Sequence, residues 1–157
     1  MVKKSSFKIS TKSDKETKKL GEFLAGWFIK NNKSTILSLS GDLGAGKTVF
    51  IKGLAKGLGI KKTILSPSFV LLRSYKGNSG WQLDHIDAYR LLPKDAKIFD
   101  FNKIKQPKTI IAVEWPEKIS KALPKSLFKI KINHSTSETR TLELPIILKT
   151  HVSRLIN

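Results

Sequence analysis

Gly41-Asp42-Leu43-Gly44-Ala45-Gly46-Lys47-Thr48 is the stretch that decides how this chain is read. It matches the phosphate-loop pattern of Gly, four residues, then Gly-Lys-Ser/Thr. Glycines at 41, 44 and 46 permit positive φ and close approach of bare backbone. The intervening N–H groups, with Asp42, Leu43 and Ala45 contributing main chain, can then curl into an anion-sized concavity. Lys47 is placed to reach β- and γ-phosphates, and the Thr48 hydroxyl to bind the Mg²⁺ that bridges them. Ser34–Leu39 before the loop reads as a buried strand, and Val49–Leu58 after it reads as a helix stopped near Gly59. A helix that starts at the loop adds its positive end to the anion site. Strand, loop and helix in that order are the context the motif requires.

The chain has 157 residues, enough for one domain over 1–157 with a substantial core. No apolar run approaches the ~18 residues of a membrane span, and no signal-type apolar core follows the basic start Met1–Ser6. Cysteine is absent, which excludes disulfides, thiol nucleophiles and Cys-based zinc sites and accords with a cytoplasmic protein. The net charge is +18, and only Arg73, Arg90, Arg140 and Arg154 among the 30 basic residues are Arg. A dispersed lysine excess fits either a polyanionic partner such as RNA or a lysine-rich composition. Salt-sensitive nucleic-acid binding is expected in both cases.

Elsewhere, Phe7–Ser10 reads as a short strand. Ser13 with Glu16 forms a capping-box pattern ahead of Leu20, Phe23, Leu24, Trp27 and Phe28, which predicts a helix over 14–30. Val70–Tyr75 and Trp81–Asp87 around Gly77–Gly80 read as a hairpin. Thr109–Val113 is near-continuously apolar, as in a strand buried on both faces. Pro116 can open a helix through Ala122. Leu127–Ile132 and Thr141–Leu144 alternate like half-exposed strands, while 94–107 carries no clear pattern.

A phosphate loop needs a carboxylate partner, and the chain has only 12 acids. Asp87 and Glu114 each close a predicted strand, where open α/β sheets place their ligands. Either can hold Mg²⁺, directly or through water, or orient an attacking water. Ser66-Pro67-Ser68 lies on the loop after the phosphate-loop helix, where a γ-phosphate can be sensed; it is also ordinary turn chemistry. His85 and Trp115 read first as structural residues. No Asn-Lys-x-Asp guanine signature is present, which favours ATP.

In order along the chain, the phosphate loop, Ser66-Pro67-Ser68-Phe69, His85-Ile86-Asp87-Ala88-Tyr89-Arg90-Leu91 and Glu114-Trp115-Pro116-Glu117 resemble the TsaE family of bacterial tRNA threonylcarbamoyladenosine biosynthesis. The resemblance reaches back to Ser13, Thr17, Leu20 and Gly21 and forward to Arg140, so it covers most of the chain. It implies a P-loop NTPase-like three-layer α/β fold, with a central parallel sheet and antiparallel marginal strands. It also implies an ATPase, with ATP and Mg²⁺ as ligands, that supports repeated turnover by the TsaB and TsaD proteins. Those proteins transfer a threonylcarbamoyl group to adenosine 37 of tRNA, so tRNA is met indirectly. By the same resemblance Lys47, Asp87 and Glu114 are catalytic, Thr48, Asp87 and Glu114 are on the metal side, Thr17 and Arg140 contact nucleotide, and Ser66-Pro67-Ser68 is switch-like. The chain departs from the family pattern at Val49, usually a second Thr, and at Ser68, usually Thr. Two other functions use the same features. A small-molecule or nucleoside kinase would need an acceptor pocket and an Arg-rich lid, which four Arg do not readily supply. A basic RNA-binding module would be indifferent to Lys47.

Overall fold

A computed structural model of the protein describes residues 5–67 and 69–156. The first strand, β1 (Ser6–Thr11), leads into α1 (Asp14–Lys30), where Ser13 at the N-cap accepts a hydrogen bond from the Glu16 N–H at 3.2 Å. Strand β2 (Thr35–Ser40) feeds the glycine loop, and α2 (Lys47–Gly57) leaves it. Strands β3 (Leu72–Lys76) and β4 (Gln82–Asp87) form the expected hairpin. The short α3 (Phe101–Ile104) precedes β5 (Thr109–Glu114), which is buried along its whole length. Strands β6 (Phe128–His134) and β7 (Arg140–Pro145) and helix α4 (Lys149–Ile156) complete the described residues.

The seven strands make one mixed sheet in the order β1-β7-β6-β2-β5-β4-β3. The four central strands β6, β2, β5 and β4 run parallel, and β1, β7 and β3 are antiparallel at the margins. Alternation along each strand divides the core in two. Leu37, Leu39, Ile110, Ala112, Ile130 and Leu142 point to a layer that includes Leu24 and Phe28 of α1, Phe50 and Leu54 of α2, and Val152 of α4. Ile36, Ile86, Ile111 and Val113 point the other way, onto Phe99, Phe101 and Ile119. That second layer is built from short pieces, with 3₁₀ turns at Pro93–Ile98 and Pro116–Ile119 beside α3. Pro116 therefore opens a single turn in place of the helix expected to Ala122. Trp115 before it takes φ 57°, and the turn gives way to non-helical turns after Ile119. Helix α4 had no counterpart in the sequence reading, although Leu148, Val152 and Leu155 recur at helical spacing and pack on the core.

Helices α1 and α2 approach until backbone meets backbone. A Cβ on Gly21 would stand 2.2 Å from the Phe50 carbonyl oxygen, and one on Gly53 would stand 2.0 Å from the Lys18 carbonyl oxygen. This contact fixes α2, and with it the loop that starts α2, against the N-terminal half of the chain. Gly53→Ala should therefore destabilise the protein by about 1–3 kcal/mol, because the obstructing atom is backbone and cannot swing aside. Gly26→Ala, where a Cβ meets nothing within 4 Å, should be neutral or stabilising by up to about 1 kcal/mol. Urea unfolding of the two variants checks the contrast; equal effects would contradict the close-packed helix contact.

Candidate functional site

Parallel pairing brings three strand ends to one edge of the sheet. In the β2–β5–β4 register Leu39 stands beside Glu114, and Glu114 beside Asp87. The glycine loop leaves β2 at that edge. Its conformation depends on positive φ: Gly41 has φ 136°, and a Cβ there would fall 1.8 Å from the Ile132 carbonyl oxygen. Gly46 has φ 102° and sits under Arg140, whose Nε would be 2.6 Å from an added Cβ. Arg140 Nε–H donates to the Ala45 carbonyl at 3.0 Å, and its guanidinium also pairs with Asp14 at the start of α1. One side chain from β7 thus ties the loop backbone to α1.

Lys47 is buried, and its ammonium donates to the carbonyls of Gly41 at 2.8 Å and Asp42 at 2.7 Å. It lies 4.3 Å from the Trp115 ring centroid, within cation–π range. Burial pushes its pKa below the usual lysine value, against the opposing pull of Glu114, Glu117, Asp42 and Asp87. The Thr48 hydroxyl donates to Glu114 Oε1 at 2.9 Å, linking residues 66 apart in sequence. The same Oε1 lies 3.0 Å from His85 Nε2. Asp87 accepts from the Tyr89 N–H at 2.9 Å and from the Ser66 hydroxyl at 3.2 Å. Both carboxylates are buried.

These groups open onto a cavity of about 470 Å³, lined by residues 43–49 of the loop and by Ser66, Asp87 and Glu114. Its size fits a ligand of nucleotide scale. Of the residues expected from sequence, Lys47, Thr48, Asp87, Glu114, Ser66, Val49 and Arg140 all line it. Gly41 and Asp42 act from behind, through the carbonyls that hold Lys47. Thr17 does not line the cavity. It is fully buried, its hydroxyl 2.7 Å from that of Thr11, and so joins the end of β1 to the start of α1. Pro67 is buried, and Ser68 lies outside the described residues. Asp84, another acid of β4, points to the opposite face of the sheet and accepts from Gln82 Nε2 at 2.8 Å.

The structure adds Tyr89, Arg90, Trp115 and Asp14 to the cavity wall. The first two lie two and three residues after Asp87, so nearness to a strand-end acid was the available signal. Trp115, read from sequence as a packing residue, does pack against the second core layer, and it also lies tilted beside Tyr89 with ring centroids 5.0 Å apart and under the Lys47 ammonium. Asp14 was absorbed into the helix cap, and nothing local shows that Arg140 reaches it across the fold. Among the described residues no cluster of three or more His, Cys, Asp or Glu could by itself enclose a metal ion. Thr48, Glu114 and Asp87 instead offer a partial set of hard oxygen donors, the kind completed by phosphate oxygens and water around Mg²⁺.

Comparison with known proteins gives one answer. The family model described as "Threonylcarbamoyl adenosine biosynthesis protein TsaE" matches residues 11–142. A Bacillus subtilis relative named "tRNA threonylcarbamoyladenosine biosynthesis protein TsaE" is 34% identical over 133 residues, covering 84% of this chain and 80% of the relative. A Haemophilus influenzae protein of the same name is 30% identical over 128 residues, covering 81% and 78%. The crystal structure of Bacillus subtilis YdiB superposes with a TM-score of 0.73 at 32% identity, over 100% of this chain and 99% of that one. With its motifs, its sheet and these relatives in agreement, the chain belongs to the TsaE family of tRNA threonylcarbamoyladenosine biosynthesis.

Proposed function

We propose that this chain is a Mg²⁺-dependent ATPase with a P-loop NTPase fold that sustains tRNA threonylcarbamoyladenosine synthesis in the cytoplasm by acting on a TsaB–TsaD assembly. The observation that carries the reading is the 2.9 Å bond from Thr48 to Glu114 at the head of a glycine loop whose lysine is buried beside it. A hydroxyl that donates to a carboxylate keeps its lone pairs for a cation, and the carboxylate keeps a second oxygen for the cation's water shell. Thr48 and Glu114 would hold Mg²⁺ there, and the ion would supply charge neutralisation on the β- and γ-phosphates.

The rest follows from the chain's own groups. Loop N–H groups from 43 to 48 would donate to the phosphate oxygens at the positive end of α2. Lys47 adds a cation whose desolvation makes its attraction to phosphate stronger than it would be in water. Asp87, fixed by the Tyr89 N–H and Ser66, is oriented to hold the water that attacks the γ-phosphorus. Arg140 keeps the loop shaped between events through Ala45 and Asp14.

Because Ser66 is bonded to Asp87, a change at the γ-phosphate reaches the segment beyond it. On either side of Ser66 and Pro67, Leu65, Phe69 and Val70 are exposed, with the Arg90 guanidinium 4.7 Å from the Phe69 ring centroid. Order in such a segment can be coupled to γ-phosphate loss and read by a partner surface. The TsaB–TsaD assembly is the proposed reader, and tRNA is met through it.

Lys47→Ala should lower ATP hydrolysis by on the order of 10²-fold or more while the protein stays folded, measured as phosphate release alongside circular dichroism. Unchanged turnover in the folded variant would remove the phosphate-loop role. Asp87→Asn and Glu114→Gln should each cost on the order of 10²-fold in turnover, with unfolding free energy changed by less than about 1 kcal/mol. Turnover that survives both would place the acid chemistry elsewhere. Affinity for TsaB–TsaD should differ between ATP, ADP and no nucleotide; equal affinity in all three states leaves no differential free energy for a switch.

A further inference from the structure

His85 has no place in the chemistry above, yet it sits in direct contact with Glu114. It is fully buried, its Nε2 is 3.0 Å from Glu114 Oε1, and its Nδ1 is one of two buried side-chain atoms without a protein partner among the described residues. The other is Nε of Arg73, the cross-strand partner of His85 on β3. Strand alternation sends both side chains to the same face of the sheet, with Glu114 and α2.

We infer that His85 is a positioning residue for Glu114: it donates Nε2–H to Oε1, and so reserves Oε2 for the metal side of the site. An ionised carboxylate only accepts, so the proton between the two residues belongs to the imidazole Nε2. An Nδ1–H would need an acceptor, and the residue across the strand pair is an arginine, which carries donors and no acceptor. The tautomer with a bare Nδ1 leaves no imidazole N–H without an acceptor. Thr48 also donates to Oε1, so two donors converge on one oxygen and fix the rotation of the carboxylate. Without His85 only the Thr48 hydroxyl would hold that rotation, and a hydroxyl drawn toward a cation is a weaker anchor. Groups that orient a metal-side ligand from behind set metal affinity more than they set stability.

This inference rests on Glu114 being the metal-side acid. The test measures binding, with ATP as the probe, titrated onto the full chain with Mg²⁺ and with EDTA. Wild type is expected to bind ATP more tightly with Mg²⁺. His85→Leu, which keeps the site filled and removes the donor, should bind ATP in EDTA as wild type does and lose about 10-fold or more of the Mg²⁺ gain. His85→Gln, whose amide nitrogen can donate from near the Nε2 position, should recover most of it. Wild type with no Mg²⁺ gain would overturn the metal-side reading of Glu114. A wild-type gain retained in His85→Leu would overturn the role of His85 alone. ¹⁵N NMR of the wild-type imidazole supplies a check that needs no variant: Nε2–H is expected, and Nδ1–H would overturn the inference.

Discussion

The site depends on one constraint, the parallel pairing of β2, β5 and β4. Parallel neighbours end at the same edge, so the register that sets Leu39 beside Glu114 and Glu114 beside Asp87 delivers a loop and two acids together. Antiparallel pairing of any one of them would send its terminal residue to the far side of the molecule. The marginal antiparallel strands serve that arrangement. Strand β7 carries Arg140 to the loop backbone, and Leu71, just before β3, meets the Asp87 main chain, where its carbonyl accepts from the Asp87 N–H at 3.2 Å.

Several features of the site oppose stability. Lys47 is a cation taken out of water, and its ammonium is held by the Gly41 and Asp42 backbone carbonyls. Leu71 and Trp115 take φ of 63° and 57°, in a region that bulky residues rarely occupy. Residues held there cost of order 1–3 kcal/mol each and persist only where the surroundings over-determine them. Both follow or flank cavity residues, at the Ser66 loop and directly after Glu114. The core that outweighs these costs is formed largely by α1, α2 and the central strands, away from the cavity.

The sequence was most informative where function and local structure use the same residues. Gly41, Gly44, Gly46, Lys47 and Thr48 identify their loop because the φ requirement and the chemistry both appear in the residue types. Asp87 and Glu114 stood out because each closes a predicted strand. Arg140 was placed at the site by family resemblance, but its contacts with Ala45 and Asp14 span 95 and 126 residues and leave no local trace. Trp115 was legible as a packing residue and does pack on the second layer; its contact with Lys47 depends on its left-handed backbone, which cannot be read from one residue. The layer over the second face was obscure for another reason. Its turns at 93–98 and 116–119 are too short for any period to emerge.

The central claim is that this edge of the sheet activates water against the γ-phosphorus of ATP. Incubating the protein with Mg²⁺ and ATP in ¹⁸O-labelled water, and reading the products by ³¹P NMR, tests that claim directly. The account predicts inorganic phosphate carrying one solvent oxygen, together with unlabelled ADP. Label in ADP, or phosphate formed without solvent oxygen, would contradict it.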